Sequence, residues 1–127
     1  MEYGFTKSVT VSYEEAIEKV TEELKKEGFG VLTTIDVKET LKKKLDVDFD
    51  RYIILGACNP PFAYEALKAE ESVGLLMPCN VIVHEKSTSV QIFFFNPSII
   101  ASITDNPKLK ELSSSLTEKI KKVMNNI

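Results

Sequence analysis

The sequence is poor in the residues that mark most small-protein chemistries. Tryptophan is absent, histidine and arginine occur once each (His84, Arg51), and there are two cysteines, Cys58 and Cys79. Two cysteines are too few for a disulfide framework. With one histidine they also fall short of the four ligands of a closed zinc site, so no metal site is expected. The five glycines contain no phosphate-cradling loop. No nucleophile elbow or paired-histidine metal motif occurs, so no catalytic residue and no cofactor is assigned. Positive charge is not in excess: 16 Lys and Arg stand against 19 Asp and Glu, for a formal charge of −3. That balance argues against a general nucleic-acid binder or an anionic-membrane binder. The N-terminus, Met1 to Phe5, has no basic region followed by an apolar run. No signal peptide is therefore expected, and the default expectation is the cytoplasm with reduced thiols. The longest uncharged stretch, 87–104, is interrupted by Gln91, Asn96 and Pro97, which argues against a membrane span.

What remains is an ordinary globular balance, 43% hydrophobic and 28% charged over 127 residues. It is enough for one domain, 1–127, with its own core. No repeat, low-complexity segment or linker divides it.

Strand and helix signals alternate along the chain. Phe5, Val9 and Val11 alternate with Thr6, Ser8 and Thr10, the period of a half-buried strand. Ser12 with Glu15 forms a capping box ahead of an apolar stripe, Ala16, Ile17, Val20 and Leu24. Gly28 then suits a left-handed helix end, with Phe29 folding back on Leu24. Residues 29–35 form a second strand. Asp36 and Glu39 start a second helix with the stripe Val37, Leu41, Leu45. Lys42, Lys43 and Lys44 lie beside that stripe as a solvated face. A third strand spans 52–58, apolar on consecutive positions and so covered on both faces. Asn59-Pro60-Pro61 reads as a cap and helix start, with Phe62, Ala66 and Leu67 turned inward. Residues 75–85 form a fourth strand with Pro78 near its start, and 90–95 a fifth, joined by a hairpin turn. A short helix follows Asn96-Pro97. The last helix, capped by Asn106, carries Leu109, Leu112, Leu116, Ile120, Val123 and Ile127 on one side.

This order, with local hairpins and helical crossovers, predicts a two-layer α+β domain with helices covering one face of the sheet. Ile92, Phe93, Phe94 and Phe95 cannot all point the same way on a strand. At roughly 25 cal/mol per Å² of apolar area, leaving two phenylalanines in water forfeits several kcal/mol. A second copy of the chain covers them most simply, so a homodimer is expected.

The sharpest local features are Cys58-Asn59-Pro60 and Pro78-Cys79-Asn80, each at a strand end. Cys58 precedes a helix N-terminus, where a thiolate is favoured. The amides of Asn59 and Asn80 can fix a turn or a ligand. These four residues are the candidate ligand site, against a purely structural alternative in which the thiols pack as small hydrophobes. Odd separation sends Cys79 and His84 to opposite faces of a strand, which argues against a nucleophile–base pair. His84 is expected at the surface or on an edge strand. Arg51 is expected to pair at the surface with Asp48 or Asp50. The adjacent pairs Glu14-Glu15, Glu22-Glu23 and Glu70-Glu71 point about 100° apart on helices and read as solvated faces.

Four blocks carry a resemblance. They are Gly28-Phe29-Gly30-Val31-Leu32, Val47-Asp48-Phe49, Ile54-Leu55-Gly56-Ala57-Cys58-Asn59-Pro60 and Gly74-Leu75-Leu76-Met77-Pro78-Cys79-Asn80-Val81. In this order they resemble the family called domain of unknown function 302, over nearly the whole chain. The resemblance implies a curved antiparallel sheet in a two-layer fold akin to the TATA-binding-protein and Bet v 1 group. It also implies dimers, and it makes the two cysteine blocks the family's hallmark without supplying a reaction. A TATA-binding-like shape does not imply DNA binding, because fold does not fix function. Three functions are then open. The first is a non-enzymatic dimeric module holding a small ligand near Cys58, Asn59, Cys79 and Asn80. The second is a thiol protein handling redox equivalents or a soft metal through Cys58 and Cys79. The third is a dimeric scaffold acting through a protein partner.

Overall fold

Alternating strands need a cover for one face, and here five of them share one. The computed structural model describes residues 2–127. Its strands are β1 (Gly4–Val9), β2 (Gly30–Asp36), β3 (Tyr52–Cys58), β4 (Cys79–Glu85) and β5 (Val90–Phe95). They form one sheet in the order β1-β5-β4-β3-β2, every neighbouring pair antiparallel. The helices are α1 (Tyr13–Lys26), α2 (Val37–Leu45), α3 (Pro60–Ala69), α4 (Ser98–Ile103) and α5 (Pro107–Asn125), with a 3-10 turn over Glu71–Leu76. They lie on one side of the sheet, so the α+β open-faced architecture is the one expected. Among the described residues no helix is long and apolar enough to cross a membrane.

The local signals explain the element ends. Ser12 Oγ accepts the Glu15 amide at 3.1 Å, the first half of the capping box. At the other end of α1, Gly28 has φ +84°, a left-handed conformation that favours glycine. The Gly28 amide donates to Lys25 O and the Phe29 amide to Leu24 O, the paired bonds of a Schellman ending. Asp36 Oδ1 accepts the Glu39 amide to start α2. Asn106 Oδ1 accepts from Lys108 and Leu109 to start α5.

The core lies between α1, α5 and the covered sheet face. Ala16, Val20 and Leu24 of α1 and Ile120 and Val123 of α5 meet Leu55, Ala57, Val81, Val83, Ile92 and Phe94. Ile92 and Phe94 are sealed, while Phe93 and Phe95 are half-buried, as strand alternation requires. A smaller cluster, Val73, Ile100 and Leu109, sits under α3 and the 3-10 turn.

Several expectations need correction. β1 stops at Val9, and Val11 is exposed beside the Ser12 cap. The stripe of α2 is shallow: Val37 and Leu41 are half-buried and Leu45 is exposed, because that helix reaches only β2 and β3 at one edge of the sheet. Leu67 of α3 points to solvent. Residues 75 and 76 end the 3-10 turn rather than begin β4, and Leu75 is 88% exposed. The Met77–Pro78 peptide is cis and leads into β4 at Cys79. Since Leu24 is fully enclosed, Leu24→Ala should lower unfolding stability by about 2–5 kcal/mol in urea titrations. Leu75→Ala should change it by less than about 0.5 kcal/mol.

Candidate functional site

Antiparallel pairing of β3 with β4 brings the two cysteine blocks together. The register sets Ala57 opposite Cys79, one residue from Cys58. Cys58 is the last residue of β3, where the chain leaves the pleat for α3. Cys58, Asn59 and Cys79 line one cavity of about 50 Å³ with Phe62, Ala66 and Leu112 among its walls. The cavity lies between the sheet end, α3, the 3-10 turn and α5, and its lining is almost wholly apolar. Ser113 is buried at its edge, with its hydroxyl donating to Lys110 O at 3.1 Å.

Both cysteines are free thiols. Cys79 is buried, and burial, reinforced by the nearby Cys58, pushes its pKa up to about 11. Desolvation penalises the thiolate, so Cys79 stays protonated at neutral pH.

Asn59 stands at the cap position of α3 but makes no capping bond from its side chain. Its Nδ2 donates instead to Glu27 O at 3.1 Å, tying the start of α3 to the end of α1. A Cβ at Gly28 would come within 3.2 Å of that Nδ2, a tight contact at a position whose φ already favours glycine. Asn59 therefore holds the cavity wall in place rather than presenting a free amide.

Asn80 does not join them. It follows Cys79 on a regular strand, so it points to the opposite, helix-free face. There it lines a broad hollow of about 700 Å³. The expected four-residue cluster is thus divided by the sheet: Cys58, Asn59 and Cys79 on one side, Asn80 on the other.

His84 lies in the same hollow as Asn80 and was misplaced by sequence reasoning. It is 9% exposed on the central strand β4, with Nε2 at 2.9 Å from Asp50 Oδ2. Its parity relative to Cys79 holds, since the two face opposite sides. The signal that could have found it was the strand order, which no local pattern reveals. Arg51 pairs with Glu85 and Glu14 and covers the Tyr13 ring at 4.6 Å, not with Asp48 or Asp50. The pairing of β3 with β4 sets Arg51 beside Glu85, and the Glu85 amide donates to Arg51 O. The guanidinium holds the Glu85 carboxyl below its usual range. The three lysines 42–44 are exposed, as expected of a solvated face.

The geometry defines a small open-faced α+β domain with an apolar, thiol-lined cavity on one side of its sheet and an aromatic hollow on the other. A family profile described as "Domain of unknown function DUF302" matches residues 5–127, and the chain belongs to that family. A solved structure described as that of an uncharacterized conserved protein DUF302 from Bacillus stearothermophilus is similar at 30% identity. Its TM-score is 0.90, over 99% of this chain and 98% of that one. No curated protein matches the chain.

The raised Cys79 pKa has a defined signature in stability. The unfolded thiol ionises near pH 9 and the folded one near 11, so folding favours the neutral form. The associated stability is whole below about pH 9 and is lost as pH rises to about 11, on the order of 2–3 kcal/mol. Denaturant titrations across that window should show a steeper loss for the native chain than for Cys79→Ala.

Proposed function

We propose that the chain is a non-enzymatic binding module that holds a small apolar molecule, or the short alkyl end of a larger one, in the cavity behind Cys58 and Cys79. The carrying observation is the chemistry of the walls: aliphatic and aromatic carbon, with a neutral, buried Cys79 thiol. Such a surface offers dispersion contacts to carbon and no counter-charge to an ion. An apolar cavity of about 150 Å³ accommodates benzene, so one of about 50 Å³ suits a few carbon atoms. Thiolate chemistry is disfavoured at Cys79 by the same burial that builds the cavity.

The module works as a homodimer, with two helix-free sheet faces stacked on each other. The support is the composition of that face. From Thr6 through Phe93, Ile82 and Ile54 to Ile35, its strand positions carry no Lys, Arg, Asp or Glu, in a chain that is 28% charged. Two identical faces without charge meet with no like-charge penalty. Without cations they offer nothing to a polyanion.

Two measurements check these parts separately. Xenon-129 NMR should give a saturable shift with the native protein and none with Ala63→Leu, whose added side chain fills the cavity. An unchanging shift in the native protein would remove the cavity as a binding site. Sedimentation velocity at micromolar concentration should give twice the 14.3 kDa chain mass, and Phe93→Glu should give one chain mass. A native protein that sediments only as a single chain would dismiss the pairing.

A further inference from the structure

The helix-free face holds one polar group that the fold positions with care and leaves half-used. His84 sits on central strand β4, opposite Tyr52 on one side and Gln91 on the other. Its ring stacks on Phe49, with centroids 6.1 Å apart and planes 11° apart, and Tyr52 lies 4.9 Å away on a tilt. Nε2 meets Asp50 Oδ2 at 2.9 Å. A carboxylate only accepts, so this bond puts the proton of the neutral imidazole on Nε2 and leaves Nδ1 as an acceptor. No partner holds Nδ1 among the described residues, and no buried side-chain polar atom there lacks one. Nδ1 is therefore an atom that a ligand can reach, on a residue more than nine-tenths buried.

The surroundings define what could use it. The hollow is lined by Tyr3, Tyr52, Phe93 and Phe95; the Asn80 amide, which has no hydrogen-bond partner among the described residues, lies at its far end, four positions from His84 along β4. Burial, and then the neighbouring Tyr3, hold the Tyr52 phenol above its usual range, so that ring stays a neutral phenol at pH 7. Aromatic walls favour a flat ring by offset or edge-on contact. The strand positions supply no cation for an anionic ligand. The one carboxylate lining the hollow, Glu2, stands at its exposed rim, and Asp50 is already engaged by His84.

We propose that this hollow is a second binding site, taking a flat, uncharged aromatic molecule with one O–H or N–H group that donates to Nδ1 of His84. Asp50 acts as a positioning residue that fixes the tautomer. The site is built by one chain and lies on the opposite side of the sheet from the cysteine cavity, so neither depends on the other. This hollow opens on the face proposed above for pairing and shares Phe93 with it, so ligand and second copy compete there, and saturation with ligand should lower the sedimenting mass.

Having a single histidine makes the test direct, because its Cε1–H resonance reports on this site alone. The native protein is titrated with 4-fluorophenol, and then with fluorobenzene, which has the ring but no donor. The expected result is a saturable shift of the His84 resonance by 4-fluorophenol, with affinity roughly tenfold above that for fluorobenzene, the ratio one good hydrogen bond supplies. Asp50→Ala, at an exposed position that should not disturb folding, should reduce that preference several-fold. His84→Phe, followed by fluorine NMR of the probe, should abolish it. Absence of a saturable shift overturns the proposal. So does equal affinity for the two probes, or a preference that survives His84→Phe in a folded variant. A 4-fluorobenzylammonium ion that binds more tightly than 4-fluorophenol overturns it too, since Glu2 would then set the preference. Xenon binding in the cysteine cavity should be unaffected by either variant.

Discussion

The burial of one sheet face under α1 and α5 is the constraint on which everything else depends. Val81 and Val83 of β4 and Ile92 and Phe94 of β5 are sealed against Val20, Leu24, Ile120 and Val123. Because side chains alternate on a strand, committing these residues inward sends Asn80, Ile82, His84 and Phe93 outward without further choice. A register slip by one residue would exchange the two sets and bury Asn80 and His84 under the helices, where neither has a partner. The same constraint that makes the core thus makes the second face.

Each face inherits a different chemistry. On the helix side, the end of β3, the start of β4 and the N-terminus of α3 converge, and α5 closes over them. What is left between these imperfectly meeting elements is a small apolar space with two thiols on its wall. Burial raises the Cys79 pKa, so the same enclosure that builds the cavity keeps that thiol neutral. On the open side there is no helix to fill the hollow, and polar groups are tolerated because water reaches them. His84 is the exception, being deep in the face, and Asp50 from the segment before β3 satisfies one of its nitrogens.

Most charge on this domain stays solvated; Glu23, buried on α1, is paired with Lys26 at 2.7 Å. Arg51 bridges Glu85 at the end of β4 and Glu14 at the start of α1 while lying over the Tyr13 ring, joining sheet to helix at the rim of the core. Exposed ion pairs such as those of Lys42 and Lys43 add little individually. Their placement matters more for what it leaves bare: a sheet face with no formal charge at its strand positions.

Caps and alternation were legible because they are local. Ser12, Asp36, Gly28 and Asn106 act through backbone groups a few residues away, and the stripes of α1 and α5 repeat at the helical period. Cys58, Asn59 and Cys79 were recognisable as one cluster because their blocks lie at strand ends and resemble a known family. Asn80 was grouped with them because adjacency in the chain hides the reversal of direction between neighbouring strand residues. Asn59 looked like a helix cap because Asn before Pro usually is one, whereas its amide bonds to Glu27, 32 residues earlier. His84 and Arg51 were misplaced for a related reason, since Asp50 and Glu85, their partners, each lie 34 residues away. The amino-acid sequence by itself determined the elements, their caps and which side chains share a strand face, since these follow from short-range sterics and hydrogen bonding. Only the tertiary structure decided which strands lie side by side, and so which thiols, rings and carboxylates meet, since strand order is set by packing over the whole sheet.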